Sequence, residues 1–358
     1  MFGLSNSLAS RTGVELKVLT SDSAGPRLSQ KIPYSSYPVT YSPGYSVYFC
    51  RRRLGATFAP RMFTELPRLI SWASVVHVTA AYSPPTIPAL ALCRALDTPV
   101  VWSPRGAFLE WHSRTHPVLK SAWENICGSL LAAARTIIHV TSCEEAKATR
   151  QRIPGIRVEV IPNGVDLPAD LPQRAWKPND RLRLLYLGRL HPIKGIENLL
   201  RALASVPGLS VTLRICGSGE PEYVASLRRL VASLDIGELV SFAGEIGPQE
   251  KADTFSSADV CVVPSHSENF GMVVAEALAH AVPVIASRGT PWAGVEQHAC
   301  GLWTDNRPDA LAAAIQDLAQ RDLAAMGQRG RSWMAREYRW DTVASRMMDC
   351  YASLTTNA

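Results

Sequence analysis

The sequence predicts an α/β fold in which parallel sheets are divided between two domains. Short apolar runs alternate with helical patterns along the whole chain, which is typical of strands joined by crossover helices. The chain has 358 residues, which is enough for two domains. A stretch rich in Pro and Ala, residues 168–178, follows an Asn-Gly turn and predicts a linker near the domain boundary.

The apolar runs predict strands in both halves of the chain. The predicted strands are Leu16–Thr20, Val75–Val78, Val100–Ser103, Ile137–Val140, Leu182–Leu187, Val211–Cys216, Leu239–Phe242, Val260–Val263 and Val282–Ile285. The last segment, Trp340–Leu354, has the apolar spacing of a helix. We therefore predict a first domain over residues 1–165, a second over 166–335, and a C-terminal helix within 336–358.

Composition indicates a globular protein with reduced cysteines. Hydrophobic residues make up 47% of the chain and charged residues only 19%, which excludes a disordered protein. The eight cysteines form no Cys-x-x-Cys pair and lie scattered, many in apolar segments, so we expect neither disulfides nor a metal site. No apolar run reaches membrane-spanning length, and no secretory signal is visible. We therefore expect a cytoplasmic protein.

Basic charge is concentrated in the first half of the chain. Residues 1–160 contain 18 Lys and Arg against 9 Asp and Glu, whereas the remainder is weakly acidic. A solvated surface would account for this excess, but so would contact with an anionic surface or a phosphate-bearing partner. The cluster Arg51–Arg53, beside several aromatic residues, suits lipid headgroups, so we expect peripheral contact with a membrane. Nucleic-acid binding is not expected, because no recognition motif accompanies the charge.

Two glutamates, Glu268 and Glu276, are separated by seven residues in the most informative segment. Glu268 follows the predicted strand that ends at Val263, and an apolar helical run leads to Glu276. Open α/β sheets bind ligands at the carboxyl ends of their strands. Backbone N–H groups over 270–273 would point at an anion there, aided by the helix dipole. The alternative is two solvated glutamates beside an ordinary helix.

A second constellation follows the strand Leu182–Leu187. Gly188 lets the backbone approach a ligand, and Arg189 and Lys194 place two cations at a helix start. Such cations compensate a leaving diphosphate, although they would also fit an ordinary surface. A further strand ends in a Gly-Ser-Gly turn at Gly217. No Asp-x-Asp pair occurs in the sequence, so we expect no metal and no other cofactor.

These motifs resemble those of the family 4 (group 1) retaining glycosyltransferases. The resemblance implies the GT-B fold, two Rossmann-like domains facing a cleft, with Asn163-Gly164 in the hinge. It implies a nucleotide-sugar donor, such as a UDP- or GDP-sugar. Glu276 would hold the ribose and Glu268 the hexose, while Arg189 and Lys194 offset the diphosphate charge. The implied donor-binding residues are Gly188, Gly217, Phe270, Gly271, Met272, Val273 and Glu276.

Two further motifs resemble a subset of this family in exopolysaccharide and O-antigen synthesis. They are Ser103-Pro104-Arg105-Gly106 and Gly289-Thr290-Pro291-Trp292. This subset implies a glycan acceptor, lipid-linked, at the inner face of the cytoplasmic membrane. Many members have a histidine near the position of Arg105. A guanidinium stays protonated, so Arg105 cannot act as a general base there. We expect Arg105 to stabilise the leaving phosphate or to bind an acceptor pyrophosphate, with Glu110, His112 and His116 on the acceptor side.

The start of the chain departs from the family pattern. Leu4–Arg11 resembles the first helix and Gly13–Val18 the strand after it, so the N-terminal domain lacks its first strand. We expect either a true start upstream of Met1 or a damaged copy, and poor stability and little turnover for the chain as written. A truncated non-catalytic paralogue or partner subunit and a GT-B sugar-nucleotide epimerase are the alternatives to a transferase. A phosphorylase would need a pyridoxal-bearing lysine segment, which the sequence does not show.

Overall fold

A computed structural model describes residues 2–24, 31–32, 38–42, 44–53, 58–109, 117–206 and 208–356. Its contacts divide the chain into a first unit, Met1–Gly164 with Trp340–Ala358, and a second unit, Val165–Arg339. Within the described ranges, no helix combines the length and the apolar character needed to cross a bilayer.

Strands and helices alternate through most of the chain. The strands are β1 Lys17–Ser21, β2 Val39–Tyr41, β3 Tyr45–Cys50, β4 Val76–Thr79, β5 Val100–Ser103, β6 Thr136–Val140, β7 Arg157–Val160, β8 Leu182–Leu187, β9 Val211–Cys216, β10 Val240–Gly244, β11 Val260–Val263, β12 Val284–Ser287 and β13 Gly301–Thr304. The helices are α1 Phe2–Ala9, α2 Pro60–Trp72, α3 Thr86–Ala95, α4 Pro117–Leu130, α5 Cys143–Arg152, α6 Ile196–Ala204, α7 Pro221–Ser233, α8 Lys251–Ser256, α9 Met272–Ala279, α10 Gly294–Gln297, α11 Pro308–Ala319, α12 Leu323–Glu337 and α13 Trp340–Thr355.

In the first unit the strands form two sheets rather than one. β4, β5, β6 and β7 form a parallel sheet in that order, and β1, β3 and β2 form a second sheet in which only β2 is antiparallel. Among the described residues no strand joins β1 to β4. The sequence did not predict β2, β3 or β7.

The second unit is a single parallel sheet in the order β10-β9-β8-β11-β12-β13. This is the doubly wound order of dinucleotide-binding folds. Apolar clusters cover both faces: α6, α7 and α11 pack on one, and α8, α9, α10 and α12 on the other. Leu182, Leu184 and Tyr186 of β8 pack in one cluster and Leu185 and Leu187 in the other, so the strand is apolar apart from Arg183.

Helix α13 belongs to the first unit. Its apolar side chains form one cluster with Leu4 and Leu8 of α1 and with the central strands. The indole ring of Trp340 fills the space beside Gly3 and Gly164, where a Cβ atom would overlap it. Gly164 does not adopt positive φ. Its small size is required because Trp340 packs against it.

A chain of buried hydrogen bonds ties α13 to the central strands. Tyr351 Oη donates to His77 Nδ1 at 2.7 Å, and His77 Nε2 lies 2.6 Å from Ser103 Oγ. Ser103 Oγ lies 2.6 Å from His139 Nδ1, and His139 Nε2 lies 2.8 Å from the carbonyl oxygen of Ile161. Burial lowers the pKa of both histidines, so both imidazoles are neutral. Because that carbonyl can only accept, the proton of His139 is on Nε2, and the direction of every other bond follows.

One side chain of the cluster Arg51–Arg53 is not available to a membrane. Arg52 is buried and its Nε donates to Asp22 Oδ1 at 3.2 Å, whereas Arg51 and Arg53 are exposed. Buried charges of this kind need a partner. The stretch 168–178 is irregular but is not a free linker. The Arg174 guanidinium donates to carbonyl oxygens of the second unit, those of Phe255, His280 and Ala281, and burial lowers the Arg174 pKa to about 10.

We predict that the first unit loses stability in mild acid. Burial lowers the pKa of His139 to about 4, aided by the positive charges of Arg105 and Arg346, and burial lowers the pKa of His77 well below its usual range. Unfolded histidines titrate near pH 6.5, so between about pH 6.5 and 4 protons bind the unfolded chain preferentially. Each histidine should cost about 2 kcal/mol at pH 5 relative to pH 7. Denaturant unfolding at both pH values measures the loss.

The matched variant is His139→Gln, which removes one of the two titrating groups. It should be less stable at pH 7 yet show a shallower pH dependence than the parent chain. An unchanged pH dependence would show that His139 is not protected from protonation.

Candidate active site

The strand order of the second unit creates a ligand crevice by topology alone. From β8 the chain proceeds to β9 and β10 on one side and returns to β11 on the other. The loops after β8 and β11 therefore diverge at the carboxyl edge of the sheet, which is where open α/β sheets bind ligands. The two predicted constellations lie on these loops.

Gly188 and Gly217 end β8 and β9 side by side. The N–H of Gly188 donates to Cys216 O at 3.0 Å, and the N–H of Gly217 donates to Gly244 O at 2.7 Å. A Cβ atom on Gly217, whose φ is +144°, would overlap the carbonyl oxygen of Gly188. Only glycine lets these two strand ends approach so closely.

The loop after β8 carries a cationic group. Arg189 is exposed, and Lys194 ends a short 3₁₀ turn, Pro192–Lys194. His191 caps that turn, because its Nδ1 accepts the N–H of Ile193 at 3.2 Å. Burial and the neighbouring charges of Arg189 and Lys194 lower the pKa of His191, so the ring is neutral and its Nε2–H is a donor. We did not identify His191 from the sequence, although a residue before Pro at a helix start is a capping signal.

Lys194 and Glu268, predicted from separate motifs, form an ion pair. Lys194 Nζ contacts Glu268 Oε1, and Ser265 Oγ donates to the same oxygen at 3.0 Å. The exposed fractions of the two charged side chains are 19% and 16%, so the pair is largely shielded from water. The N–H of Glu268 donates to Gly289 O at 2.8 Å, which ties this loop to the one after β12. The sheet thus brings the two motifs into direct contact.

An aromatic cluster anchors the start of α9. Phe270 is buried, with its ring 5.1 Å from that of Trp292, and Trp292 Nε1–H donates to the carbonyl oxygen of Phe270. Trp333 and Tyr338 pack against Trp292 with ring centres 5.6 and 5.4 Å away. The side chain of Phe270 therefore anchors the loop in the apolar core. Only the backbone N–H of Phe270 is left for the predicted contact with the donor.

The N-terminus of α9 opens at this anchor. Gly271 is the N-cap residue with φ +77°, and its carbonyl oxygen accepts the N–H of Val274 at 3.0 Å. The N–H groups of Met272 and Val273 lie in the first turn, where a helix offers them no acceptor. Together with the helix dipole they form an anion-binding end.

Glu276 also has a lysine partner. Lys251 Nζ of α8 lies 2.6 Å from Glu276 Oε1. The two predicted glutamates therefore do not share a cation: Glu268 pairs with Lys194 and Glu276 with Lys251. No motif marks Lys251, because only the packing of α8 beside α9 brings it to the site.

In the first unit Arg105 lies in a strained turn after β5. Arg105 and Gly106 adopt φ values of +56° and +77°, and Arg105 Nη1 donates to Asn163 Oδ1 at 2.6 Å. Burial lowers the pKa of Arg105, and the charge of Glu145 opposes that effect. The guanidinium is thus held by its neighbours rather than free in solvent.

Glu145 fixes this turn and was missed by sequence reasoning. Its fully buried carboxylate accepts the N–H of Gly106, the N–H of Thr141 at 2.8 Å and the Thr141 hydroxyl at 3.0 Å. Its own N–H donates to Ser142 Oγ at 3.1 Å, which caps α5. The spacing Ser142-x-x-Glu145 is a capping box and could have identified it.

The predicted acceptor-side residues Glu110, His112 and His116 lie outside the described residues. Their assignment to the acceptor stays a prediction.

We predict that Trp292→Phe destabilises the second unit while keeping the aromatic packing. The change leaves the buried carbonyl oxygen of Phe270 without its donor, which should cost about 1–3 kcal/mol. Trp303→Phe is the control, since Trp303 Nε1 donates to Thr290 O at 3.1 Å in a partly exposed place where water can substitute. Urea denaturation of both variants measures the difference. Equal losses would contradict the role given to Trp292.

Two family models match the chain in succession. The model described as Glycosyltransferase Family 4 matches residues 1–168, and that described as Glycosyl transferases group 1 matches residues 170–333. Together they match all but the last part of the chain, residues 334–358, and residue 169.

Curated relatives match over part of their length. A D-inositol 3-phosphate glycosyltransferase of Acidothermus cellulolyticus is 33% identical over 213 residues, covering 54% of this chain and 48% of the relative. A GDP-mannose-dependent alpha-(1-6)-phosphatidylinositol monomannoside mannosyltransferase of Mycobacterium tuberculosis is 34% identical over 218 residues, 55% and 56% of the two chains. The chain spans about half the length of the curated relatives it matches.

Solved structures agree with the fold. Sucrose-phosphate synthase of Thermosynechococcus elongatus has a TM-score of 0.74 at 23% identity and covers 99% of this chain and 92% of its own. WaaG, a glycosyltransferase involved in lipopolysaccharide biosynthesis, has a TM-score of 0.69 at 14% identity, covering 98% and 94%. Anabaena HepE in complex with UDP has a TM-score of 0.71 at 19% identity, covering 86% of each chain. These likenesses confirm the predicted GT-B fold. The two family models, which match residues 1–168 and 170–333, show that the chain belongs to the family 4 (group 1) glycosyltransferases.

Proposed function

We propose that this chain moves a hexose, with retention of configuration, from a UDP- or GDP-sugar to a lipid-linked glycan in cell-surface polysaccharide synthesis. The observation that carries the proposal is the ion pair of Lys194 and Glu268 at the switch point of the second unit, beside the N-terminus of α9. Two cations, two carboxylates and a helix N-terminus at one sheet edge match the parts of a nucleotide sugar.

The diphosphate is assigned to the start of α9 and the loop after β8. The first-turn N–H groups of α9 donate to phosphate oxygens, and Arg189 and Lys194 compensate the negative charge that grows as the glycosidic bond breaks. These cations take the place that a divalent metal has in transferases with an Asp-x-Asp pair, which this sequence lacks. We therefore propose a metal-independent reaction.

The two carboxylates are assigned to hydroxyl groups. In both glutamates Oε1 accepts the described hydrogen bonds. Lys194 and Ser265 donate to Glu268, and Lys251 donates to Glu276. The second oxygen of each can accept hydrogen bonds, from the hexose at Glu268 and from the ribose at Glu276. Charge-assisted bonds of this kind are strong and directional.

The reaction follows from these assignments. The bond between the anomeric carbon and the phosphate oxygen breaks, and the acceptor oxygen forms its bond to the same carbon on the same face. The acceptor proton passes to the leaving phosphate oxygen. Glu268 is held by Lys194 and Ser265, a setting that suits hydroxyl recognition rather than nucleophilic attack.

The acceptor is assigned to the first unit and to a membrane surface. Arg105, positioned by Asn163 and the Glu145-bound turn, offers a cation to a phosphate-bearing acceptor. The two curated relatives described above are named for an inositol phosphate and a phosphatidylinositol mannoside, which are acceptors of that class. Helix α4 exposes Val118, Leu119 and Ile126, an apolar surface suited to the inner face of the cytoplasmic membrane.

A non-catalytic role is the second candidate. Among the described residues no strand joins β1 to β4, and a protein whose acceptor domain departs from the family pattern can bind a donor without turning it over. Hydrolysis of the donor, measured as release of UDP or GDP without an acceptor, separates the two functions. Donor binding without any release would favour the non-catalytic candidate.

We predict that Glu276→Gln weakens nucleotide binding only when the ribose hydroxyls are present. Loss of a charge-assisted bond should reduce the affinity for UDP or GDP by about 10- to 100-fold. The affinity for the 2′,3′-dideoxy nucleotide should not change, because that ligand lacks the partner groups. Calorimetry measures both, with Glu222→Gln, an exposed site on α7, as the matched control. A loss that is equal for both nucleotides would contradict the ribose assignment.

We predict that Lys194→Met lowers the rate of donor hydrolysis more than it weakens donor binding. The lysine acts on charge that develops in the transition state, so kcat should fall by about 10²- to 10³-fold. Lys194→Arg should retain part of the rate. Arg201→Met, at an exposed position on α6, is the control for a lost surface charge. A raised KM with unchanged kcat would place Lys194 in ground-state binding instead.

A further inference from the structure

A third loop reaches the candidate site from a distant strand. In the sheet order of the second unit, β11 and β12 separate β13 from β8. The segment that connects β13 to α11 carries Asn306, which is partly buried. Helix α11 packs against α6, and this packing brings Asn306 to the start of α6, next to the turn that contains Lys194.

Asn198, in the first turn of α6, holds Asn306 in place. Its Nδ2 donates to the carbonyl oxygen of Asn306 at 2.7 Å and lies 3.4 Å from the side-chain oxygen Oδ1 of the same residue. The side-chain nitrogen of Asn306 lies 3.4 Å from Nδ1 of His266, in the loop after β11. The N-cap residue of α11 is Arg307, so the contacts of Asn306 are not those of a helix cap. The amide instead lies between α6 and the loop after β11.

The backbone of Gly195 lies directly against this amide. Gly195 adopts φ +63° and ends the 3₁₀ turn that contains Lys194. A Cβ atom on Gly195 would overlap both the side-chain nitrogen of Asn306 and the carbonyl oxygen of Pro264. The residue after Lys194 is therefore enclosed between the loop after β13 and the loop after β11.

The residue before Lys194 is fixed as well. The N–H of His266 donates to the carbonyl oxygen of Ile193 at 2.8 Å, which joins the loop after β11 to the loop after β8. Asn306 contacts both Gly195 and His266, so it supports the turn on either side of Lys194.

A lysine at this place needs such support. Its ammonium is a point charge at the end of a flexible stem of four carbons, so the place of the charge depends on the place of the backbone. Pro192–Lys194 is a single 3₁₀ turn, and the hydrogen bonds of such a turn have poorer geometry than those of an α-helix. The ion pair with Glu268 fixes the distance between the two charged groups but not their position relative to the N-terminus of α9. Contacts from outside the turn must fix that position, and Asn306 supplies them.

We propose that Asn306, held by Asn198, is a positioning residue that fixes the Lys194 ammonium beside Glu268 for its action on the leaving diphosphate. This role rests on the proposed function, because it requires that Lys194 acts on a nucleotide sugar. Asn306 acts through the backbone of the Lys194 turn. Its loss should therefore misplace a catalytic charge without removing a contact with the donor.

A double-mutant cycle with Lys194 tests the positioning role. Asn306→Ala should lower kcat for donor hydrolysis by about 10-fold and leave KM nearly unchanged, because a misplaced charge is felt mainly in the transition state. In the Lys194→Met background the same change should have little further effect, since the group that it positions is gone. Asn198→Ala should behave in the same way, and combining it with Asn306→Ala should cost no more than either change alone. Gln316→Ala, which removes an exposed amide from α11, is the matched control.

Amide hydrogen exchange tests the same contacts without turnover. The N–H of His266 bonds to Ile193, and at the opposite end of the same two strands the N–H of Asp259 donates to the carbonyl oxygen of Arg183 at 2.8 Å. In Asn306→Ala the amide of His266 should exchange about 10-fold faster, whereas that of Asp259 should not change. A general loss of stability would accelerate the exchange of both amides.

Two results would overturn the proposal. One is a fall in kcat that is as large in the Lys194→Met background as in the parent chain, which would make Asn306 a structural residue. The other is unchanged exchange at His266 in both Asn306→Ala and Asn198→Ala. If Asn306→Ala does not fold, Asn198→Ala replaces it in both measurements.

Failure of the proposed function would give a different result. The parent chain would then release neither UDP nor GDP from any donor, or Lys194→Met would leave kcat unchanged. In that case the exchange of the His266 amide alone decides whether Asn306 holds the Lys194 turn.

Discussion

β8 and β11 pair in parallel, with Leu184 opposite Val260 and Leu185 opposite Cys261, although they are far apart in the sequence. The candidate site depends on this ladder. It places the carboxyl ends of β8 and β11 side by side. The loop with Lys194 and the loop with Glu268 therefore come into contact although they are distant in the sequence. The same ladder aligns α9 so that its N-terminus opens at the same sheet edge.

Charge pairing organises the site once the ladder has assembled it. A diphosphate brought near Glu268 and Glu276 would be repelled by both carboxylates. The fold places Lys194 on one carboxylate and Lys251 on the other, and Arg189 adds a further cation. Carboxylates and cations therefore lie side by side, as the proposed roles of hydroxyl acceptor and phosphate-binding cation require. The aromatic anchor around Trp292 holds the connecting loop so that this arrangement is fixed before a ligand binds.

The two sheets of the first unit are joined by helices. Within the described residues no ladder connects them; α2 packs on β1 and β4, and α1 contacts β3 and β5. The buried chain from Tyr351 through His77 to His139 adds polar contacts that lock α13 onto the central strands. The turn of Arg105 sits on this scaffold and is fixed by Glu145, so the stability of the first unit and the position of its cation are linked.

The sequence by itself determined the fold class, the family and the order of the motifs. Apolar runs such as Leu182–Leu187 and Val260–Val263 are unambiguous because strands buried on both faces are apolar throughout. β7 was missed because its sequence, Arg-Val-Glu-Val, alternates apolar with charged residues. β3 was missed because polar and apolar residues do not alternate regularly along it. Only the tertiary structure decided that Lys251 pairs with Glu276, that Arg52 is buried and that Trp340 packs against Gly164. Periodicity and motif spacing act over a few residues, whereas these contacts join segments whose proximity arises only when the strands pair and the helices pack.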